Sequence, residues 1–204
     1  MLSRRAPESF DERVLRIART WGHTPARDQA VERFSLLGEH AGVWLAIGAG
    51  GAAVDRGRRS RWLRATATVG GMYALNTALK LVVRRRRPQL RGLRPLTPTA
   101  TALSFPSAHA STAFAGALAY SRLGAPAAPL YALAAGLSYS RLYLGVHYPS
   151  DVLAGALLGT AVAAARADGR DRASSVSDAT PAHAQPSSNG HVPSDAVFVA
   201  GGPA

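Results

Sequence analysis

Residues 129–165 read PLYALAAGLSYSRLYLGVHYPSDVLAGALLGTAVAAA, which is two apolar runs on either side of a short polar segment. The runs, Pro129–Tyr143 and Asp151–Ala165, have the composition of membrane helices, for which about 20 mostly apolar residues make one crossing. The segment between them carries Arg141 and His147. Ionisable groups inside a membrane protein usually serve binding or chemistry. This stretch therefore predicts two membrane helices with a functional site at the turn between them.

Three further apolar stretches precede this one. They are Phe34–Val54, which two ionisable residues interrupt, then Trp62–Val83 and Ser107–Leu123. The connections between the stretches are short, and no internal repeat is visible. The pattern predicts an all-α membrane bundle of four to five transmembrane helices, formed by a core at residues 34–166.

The two ends of the chain differ from this core. Residues 1–33 are basic, lack the uninterrupted apolar segment of a signal peptide, and repeat apolar residues at helical spacing over 10–19. They predict an amphipathic helix that lies either in the membrane interface or, as a solvated helix, against the bundle. Residues 167–204 are rich in Ser, Pro, Asp and Gly, which predicts a disordered polar tail. His183 and His191 in this tail are a weak signal for a metal site.

The overall charge points to an anionic partner. The chain has 24 basic and 12 acidic residues, a net charge of +12 and no cysteine. Such a charge is typical of proteins that bind nucleic acid, anionic membranes or phosphorylated substrates. Nucleic acid binding is disfavoured, because the charges adjoin apolar stretches and no recognition motif is present. Without cysteine, thiolate chemistry and disulfides are excluded. Any nucleophile or base that a cysteine would otherwise supply must therefore be a histidine.

Polar residues gather in three clusters at the ends of the apolar stretches. Lys80, the only lysine of the chain, begins the first cluster. The clusters are K-x6-R-P from Lys80 to Pro88, P-S-A-H from Pro106 to His109, and S-R-x5-H-x3-D from Ser140 to Asp151.

Each cluster contains groups that suit a phosphate. Pro106 leads into a predicted helix N-terminus, where Ser107 and unpaired backbone amides can bind an anion. Arg87 and Arg141 can each donate two hydrogen bonds to phosphate oxygens, and Lys80 adds a localised positive charge. These groups would neutralise the negative charge of a phosphoryl group in its transition state.

Histidines in two clusters have the spacing of catalytic groups. Pro149 can open the last helix, which would place Asp151 in the first turn, within reach of the His147 imidazole. The carboxylate would then fix the tautomer of a nucleophilic histidine, as in a catalytic triad. His109 could protonate the leaving group and later activate water.

Each cluster also has a structural interpretation. The run Arg84–Arg87 is typical of a juxtamembrane anchor for anionic lipid headgroups, a role that we favour for its first three arginines. Ser107 can be a helix cap, and His109 can be a buried histidine with satisfied hydrogen bonds. His147 and Asp151 can form a structural hydrogen bond. The three clusters together, at these spacings and all at helix ends, favour catalysis.

The clusters resemble the motifs of the type 2 phosphatidic acid phosphatase superfamily: K-x6-R-P, then P-S-G-H, then S-R-x5-H-x3-D. The resemblance implies a helical membrane bundle and hydrolysis without a metal or other cofactor, through a phosphohistidine on His147. It implies protonation by His109 and orientation of the nucleophile by Asp151. The implied phosphate-binding residues are Lys80, Arg87, Ser107, Ala108 and Arg141. A vanadate-dependent haloperoxidase has similar motifs, but a short membrane chain suits a lipid substrate better.

The chain departs from the family pattern in two places. Ala108 stands where the family usually has glycine, and alanine would be strained there at positive φ but not in a helical conformation, which we expect. The family commonly has six crossings, and this chain shows at most five. A catalytically silent lipid-binding protein is the alternative that Ala108 leaves open.

The motifs bind phosphate and do not specify the lipid. The resemblance to actinobacterial members favours decaprenylphosphoryl-5-phosphoribose, with phosphatidate, phosphatidylglycerophosphate and undecaprenyl pyrophosphate as alternatives. The expected location is the cytoplasmic membrane. The arginine distribution favours an active site on the cytoplasmic side, whereas the resemblance to bacterial members favours the outer side.

Overall fold

The computed structural model describes residues 8–178, with side chains as far as residue 167, and this part of the chain folds into seven α-helices without a β-strand. The predicted all-α class is confirmed. The helices are α1 (Phe10–Thr20), α2 (Pro25–Leu36), α3 (Gly42–Val54), α4 (Arg59–Val83), α5 (Ala108–Ser121), α6 (Ala127–Tyr143) and α7 (Pro149–Asp178).

The predicted N-terminal helix is present as α1. Ser9 and Glu12 form a capping box at its start, in which each side chain accepts a hydrogen bond from the other residue's backbone amide. The helix packs on the bundle through Leu15 and Arg19, which are both buried. Phe10 and Ile17, two of the apolar residues that suggested an amphipathic helix, are exposed on its other side.

The predicted crossing at 34–54 is wrong as a single helix. Its first residues end α2, and a 3-10 turn at Glu39–Ala41 follows, in which His40 and Ala41 have φ of 49° and 61°. The remaining helix, α3, has 13 residues and is therefore only about 20 Å long. The break has a packing reason: a Cβ on Gly38 would lie 2.6 Å from the His109 ring, so the turn closes directly over that histidine.

The other four predicted stretches correspond to α4, α5, α6 and α7. Their ends differ by at most three residues, except that α7 extends 13 residues beyond the predicted end at Ala165. By length and composition, one helix within the described residues meets the criteria for a membrane crossing, at Pro149–Ala167. The number of crossings stays a prediction. Helix α7 continues to Asp178, past the predicted start of the polar tail, and the rest of that tail, with both of its histidines, lies outside the described residues.

Helix α5 is the centre of the bundle and contacts α4, α6 and α7. Its alanines, such as Ala113 and Ala117, are fully buried, and their small size permits close approach. Glycines of α7 permit the close contact between α5 and α7. A Cβ on Gly155 would lie 2.6 Å from the carbonyl oxygen of Ser107, and a Cβ on Gly159 would overlap the carbonyl oxygen of Ser111. This close packing holds the N-terminus of α5 beside that of α7.

Candidate active site

A cavity of about 140 Å³ lies where α4 and α6 end and where α5 and the turn before α7 begin. Predicted residues from all three clusters line it: Lys80, Arg87, Ala108, His109, Arg141 and His147. The two remaining predicted residues, Ser107 and Asp151, are fully buried behind this lining. The fold thus brings the clusters together at one end of the bundle.

Three cationic side chains face this cavity. Lys80, in the last turn of α4, donates from Nζ to the Leu103 carbonyl at 3.3 Å. Arg87 donates from Nη1 to the Val146 carbonyl at 2.8 Å. Neither these two residues nor Arg141 forms an ion pair with a carboxylate among the residues described. Partly buried cations without a counter-charge favour the binding of an anion.

The contacts of His147 define its tautomer. The Nη1 of Arg87 lies 3.2 Å from His147 Nε2, and a guanidinium can only donate, so Nε2 is the unprotonated acceptor. The proton of the neutral ring is then on Nδ1, which faces Asp151 Oδ2 at 3.5 Å. That separation is long for a hydrogen bond, as it often is without a substrate. The lone pair of Nε2 is therefore directed at Arg87, whose guanidinium lines the cavity together with the His147 ring.

The surroundings keep this imidazole uncharged. Burial is the main reason that the pKa of His147 is lowered to about 3, and the positive charges of Arg87, Arg141 and Lys80 act in the same direction. The nearby Asp151 carboxylate opposes them and does not prevail. Since this pKa lies far below 7, Nε2 stays unprotonated at neutral pH.

The N-terminus of α5 has the predicted form. Ser107 is the N-cap, its Oγ accepts the Ala110 amide at 3.5 Å, and its own amide donates to the Asp151 carbonyl at 3.0 Å. Ala108 is the first helical residue and has no positive φ, which confirms the expected helical conformation. At this position its amide has no partner within the helix and is free to bind an anion. The structural interpretation of Ser107 as a cap is thus also correct.

Ser35 is a site residue that the sequence interpretation missed. Its Oγ accepts a hydrogen bond from Arg141 Nη1 at 2.6 Å, and its carbonyl oxygen lies 3.1 Å from His109 Nε2. A carbonyl only accepts, so His109 carries a proton on Nε2. Glu39 lies 3.8 Å from the same nitrogen. Ser35 is a polar residue within the stretch that was predicted as an apolar crossing, and this was the sequence signal that could have revealed the contact.

The hydrogen bond to Ser35 uses the Nη1 atom of Arg141 and leaves its Nε atom unpaired. Its Nε is buried and has no acceptor among the described residues. An unpaired buried N–H is costly, and a phosphate oxygen would satisfy it.

Arg85 is not the lipid anchor that we predicted from the arginine run. It donates from Nη1 to Asp151 Oδ1 and from Nη2 to Asp11 Oδ2, both at 2.8 Å. Its guanidinium also lies 4.2 Å from the centre of the Tyr148 ring. Asp11 of α1 accepts the Ser150 amide at 3.0 Å. Partial burial alone would favour the neutral acid, but hydrogen bonds from Ser150 and Arg85 hold the pKa of Asp11 below its usual value.

Helix α1 therefore supports the site from outside the motifs. Through Asp11 and Arg85 it fixes one oxygen of the Asp151 carboxylate, and the Tyr148 amide fixes the other at 2.9 Å. Arg84 and Arg86 are exposed, so the predicted anchoring role stays a prediction for these two arginines.

We expect Arg85→Gln to lower kcat by about 10-fold to 100-fold and to change KM little, because Arg85 orients Asp151 and does not line the cavity. The matched control is Arg91→Gln, an exposed arginine of the same loop. Steady-state kinetics of phosphate release in detergent measures both, and Arg85→Lys should recover part of the rate. Equal kinetics of Arg85→Gln and Arg91→Gln would contradict this positioning role.

Comparisons with known proteins agree with the geometry. The model of the PAP2 superfamily matches residues 61–172. Decaprenylphosphoryl-5-phosphoribose phosphatase of Mycolicibacterium smegmatis is 36% identical over 151 residues, which cover 74% of this chain and 83% of that protein. The protein of the same name from Mycobacterium tuberculosis is 34% identical over 163 residues, which cover 80% of this chain and 92% of that one.

Two solved structures have a similar fold. The crystal structure of Aquifex aeolicus LpxE superposes with a TM-score of 0.65 at 24% identity and covers 76% of this chain and 93% of that one. The transmembrane PAP2-type phosphatidylglycerolphosphate phosphatase of Bacillus subtilis superposes with a TM-score of 0.66 at 24% identity and covers 80% and 85%. The resemblance that the three motifs predicted is therefore confirmed: the chain belongs to the PAP2 superfamily and is a phosphoric monoester hydrolase.

Proposed function

We propose that this protein is a lipid phosphate phosphatase of the cytoplasmic membrane that acts through a phosphohistidine on His147. The observation that carries the proposal is one small cavity that combines a neutral imidazole with three cations that pair with no carboxylate of residues 8–167. A phosphate group would supply the missing negative charge directly beside the nucleophile.

In the first step, Nε2 of His147 attacks phosphorus and the bond from phosphorus to the lipid oxygen breaks. The negative charge of the bound phosphate favours the doubly protonated form of His109. This imidazolium gives one of its two ring protons to the lipid oxygen, so the lipid leaves as a neutral alcohol and His109 is left neutral. Lys80, Arg87 and Arg141 hold the phosphoryl oxygens and offset their charge. Asp151 stabilises the positive charge that forms on the His147 ring.

In the second step, water attacks the phosphohistidine. His109, now neutral with a free lone pair, takes a proton from the water while the bond between phosphorus and Nε2 breaks. Inorganic phosphate leaves, and His147 returns to its neutral form. The amide of Ala108 and the capped N-terminus at Ser107 are suited to one phosphate oxygen in both steps.

We expect phosphate release to be independent of divalent metals, because Lys80, Arg87 and Arg141 supply the positive charge that a metal would provide. Purified protein in detergent should keep its full rate in excess EDTA. A rate that EDTA abolishes and Mg²⁺ restores would contradict metal-independent chemistry.

Several observations support a multi-pass membrane location. Apolar side chains project outward from the bundle, among them Val82, 78% exposed, and Leu157, 63% exposed. Helix α7 has the length and composition of a crossing, and the structurally similar Bacillus subtilis enzyme is described as transmembrane. Lipid contact would explain such a surface.

Decaprenylphosphoryl-5-phosphoribose is our best candidate substrate. The support comes from the two mycobacterial relatives that bear this name and cover most of the chain. Phosphatidylglycerophosphate, phosphatidate and undecaprenyl pyrophosphate are the alternatives, and kcat/KM for this panel ranks them. Absence of phosphate release from every member would favour the catalytically silent lipid-binding protein.

A further inference from the structure

An open cleft of about 930 Å³ lies beside the catalytic cavity, in the loop between α4 and α5. Arg84, Arg86 and Arg94 line it together with apolar residues that include Leu90, Leu93 and Leu103. None of the mechanistic steps above uses these residues. The loop connects two of the three phosphatase motifs, so the cleft has a fixed place relative to the site.

The cleft and the catalytic cavity share a wall. Arg87 lines both, and its guanidinium touches His147 Nε2 at 3.2 Å. Leu103 lines the cleft, and its carbonyl oxygen accepts the hydrogen bond from Lys80. The two spaces therefore adjoin each other at Arg87.

The lining identifies the chemistry of such a ligand. The side chains of Arg84, Arg86 and Arg94 are exposed and form no hydrogen bond or ion pair with another residue of the described part of the chain. Three like charges around one cleft repel each other and favour an anion. The leucines and prolines between them favour an apolar chain next to that anion.

We propose that this cleft binds the phosphodiester of a substrate that carries two phosphates. The terminal phosphomonoester occupies the catalytic cavity, and the phosphodiester, with the first part of the lipid chain, lies among the cleft arginines. The inference rests on the proposed phosphatase function and narrows its substrate class. Decaprenylphosphoryl-5-phosphoribose and phosphatidylglycerophosphate belong to this class, whereas phosphatidate, with a single phosphomonoester, does not.

The competing explanation is general attraction of the arginines to anionic membrane lipids. That attraction depends on the total charges of the lipid and of the surface, so its loss would weaken binding of both lipids and would also appear in Arg91→Gln. A phosphodiester site instead discriminates between substrates of the same lipid type. The two explanations thus differ in which substrates lose affinity when the arginines are replaced.

The test compares phosphatidylglycerophosphate with phosphatidate in the same neutral detergent, using wild type, the double variant Arg86→Gln with Arg94→Gln, and Arg91→Gln as the control. We expect the double variant to raise KM for phosphatidylglycerophosphate at least about tenfold and to leave that for phosphatidate within about twofold. Arg91→Gln should change neither value, because Arg91 does not line the cleft. Equal losses on both substrates, or none on either, would overturn the proposal.

A binding measurement separates this proposal from the phosphatase function itself. Direct binding of the same two lipids is measured in a His147→Asn background, with the cleft arginines present or replaced. We expect phosphatidylglycerophosphate to lose at least about tenfold in affinity on their replacement and phosphatidate to lose none. This result is independent of turnover, so the cleft is tested even if wild type hydrolyses neither of these two lipids. The proposed function fails only if wild type hydrolyses no lipid of the panel described above. Unchanged binding of phosphatidylglycerophosphate would refute the cleft.

Discussion

His147→Asn is expected to lower kcat/KM for lipid phosphate hydrolysis by at least about 10⁴-fold, because it removes the attacking nitrogen. Asparagine is polar and smaller than the ring, so it fits the buried site without steric overlap and the fold should be kept. Phosphate release in detergent measures the loss, and the thermal transition of the purified variant checks the fold.

The matched control is His40→Asn. His40 also borders the catalytic cavity, but it bonds to the Tyr73 hydroxyl at 2.8 Å and has no role in the proposed chemistry. Its φ of 49° suits asparagine, so the change should not disturb the turn. His40→Asn should keep wild-type activity within a few fold. Comparable rates for the two variants would remove His147 from the mechanism.

His109→Gln should reduce kcat/KM for an alkyl phosphate by about 10²-fold to 10⁴-fold, since a poor leaving group needs the proton that His109 donates. Glutamine can still donate to the Ser35 carbonyl that now lies 3.1 Å from the ring, which limits structural change. For p-nitrophenyl phosphate the loss in kcat/KM should be much smaller, because that leaving group departs without a proton. Steady-state kinetics with both substrates gives the comparison.

The same variant should show a burst of p-nitrophenolate followed by slow turnover. Without His109, no base activates the water of the second step, so the phosphorylated enzyme accumulates. An equal loss of kcat/KM on both substrates would be evidence against proton donation to the leaving group. It would indicate a structural role, which the packing of Gly38 against this ring makes the natural alternative.

Residues close in sequence determine most of the site, which is why the sequence predicted it. Pro149 begins α7 and puts Asp151 one turn from His147, as the spacing indicates. Ser107 caps α5, so the phosphate-binding amides follow from the local pattern alone. The helical stretches from residue 59 onward were likewise visible as apolar runs that end at polar clusters.

The features that the sequence did not predict depend on contacts between residues that are distant in the chain. Ser35 of α2 lies 106 residues from its partner Arg141 in the chain. Composition shows an apolar stretch there and shows neither this contact nor the break that follows α2. The break depends on His40 and Ala41 at positive φ, a conformation that non-glycine residues rarely adopt and that sequence patterns do not indicate.

Arg85 shows the same limit for charge. A run of four arginines is usually a solvated or lipid-facing patch, and within it nothing distinguishes the residue that pairs with Asp151. The distinction comes from Asp11, which lies in the N-terminal helix α1, outside the core, and pairs with Arg85 when α1 packs against the site. Docking of α1 is a tertiary event, so only the folded structure reveals which arginine supports the nucleophile.

Trapping the phosphoenzyme tests the central claim most directly. His109→Gln is mixed with p-nitrophenyl phosphate carrying labelled phosphate, quenched in alkali during the burst, digested and mapped. We predict label that is stable to alkali and lost in acid, as a phosphohistidine is, on the peptide that contains His147. The label should be absent from a double variant that carries both His109→Gln and His147→Asn. A full burst of p-nitrophenolate without labelled protein, or label on another residue, would contradict nucleophilic attack by His147.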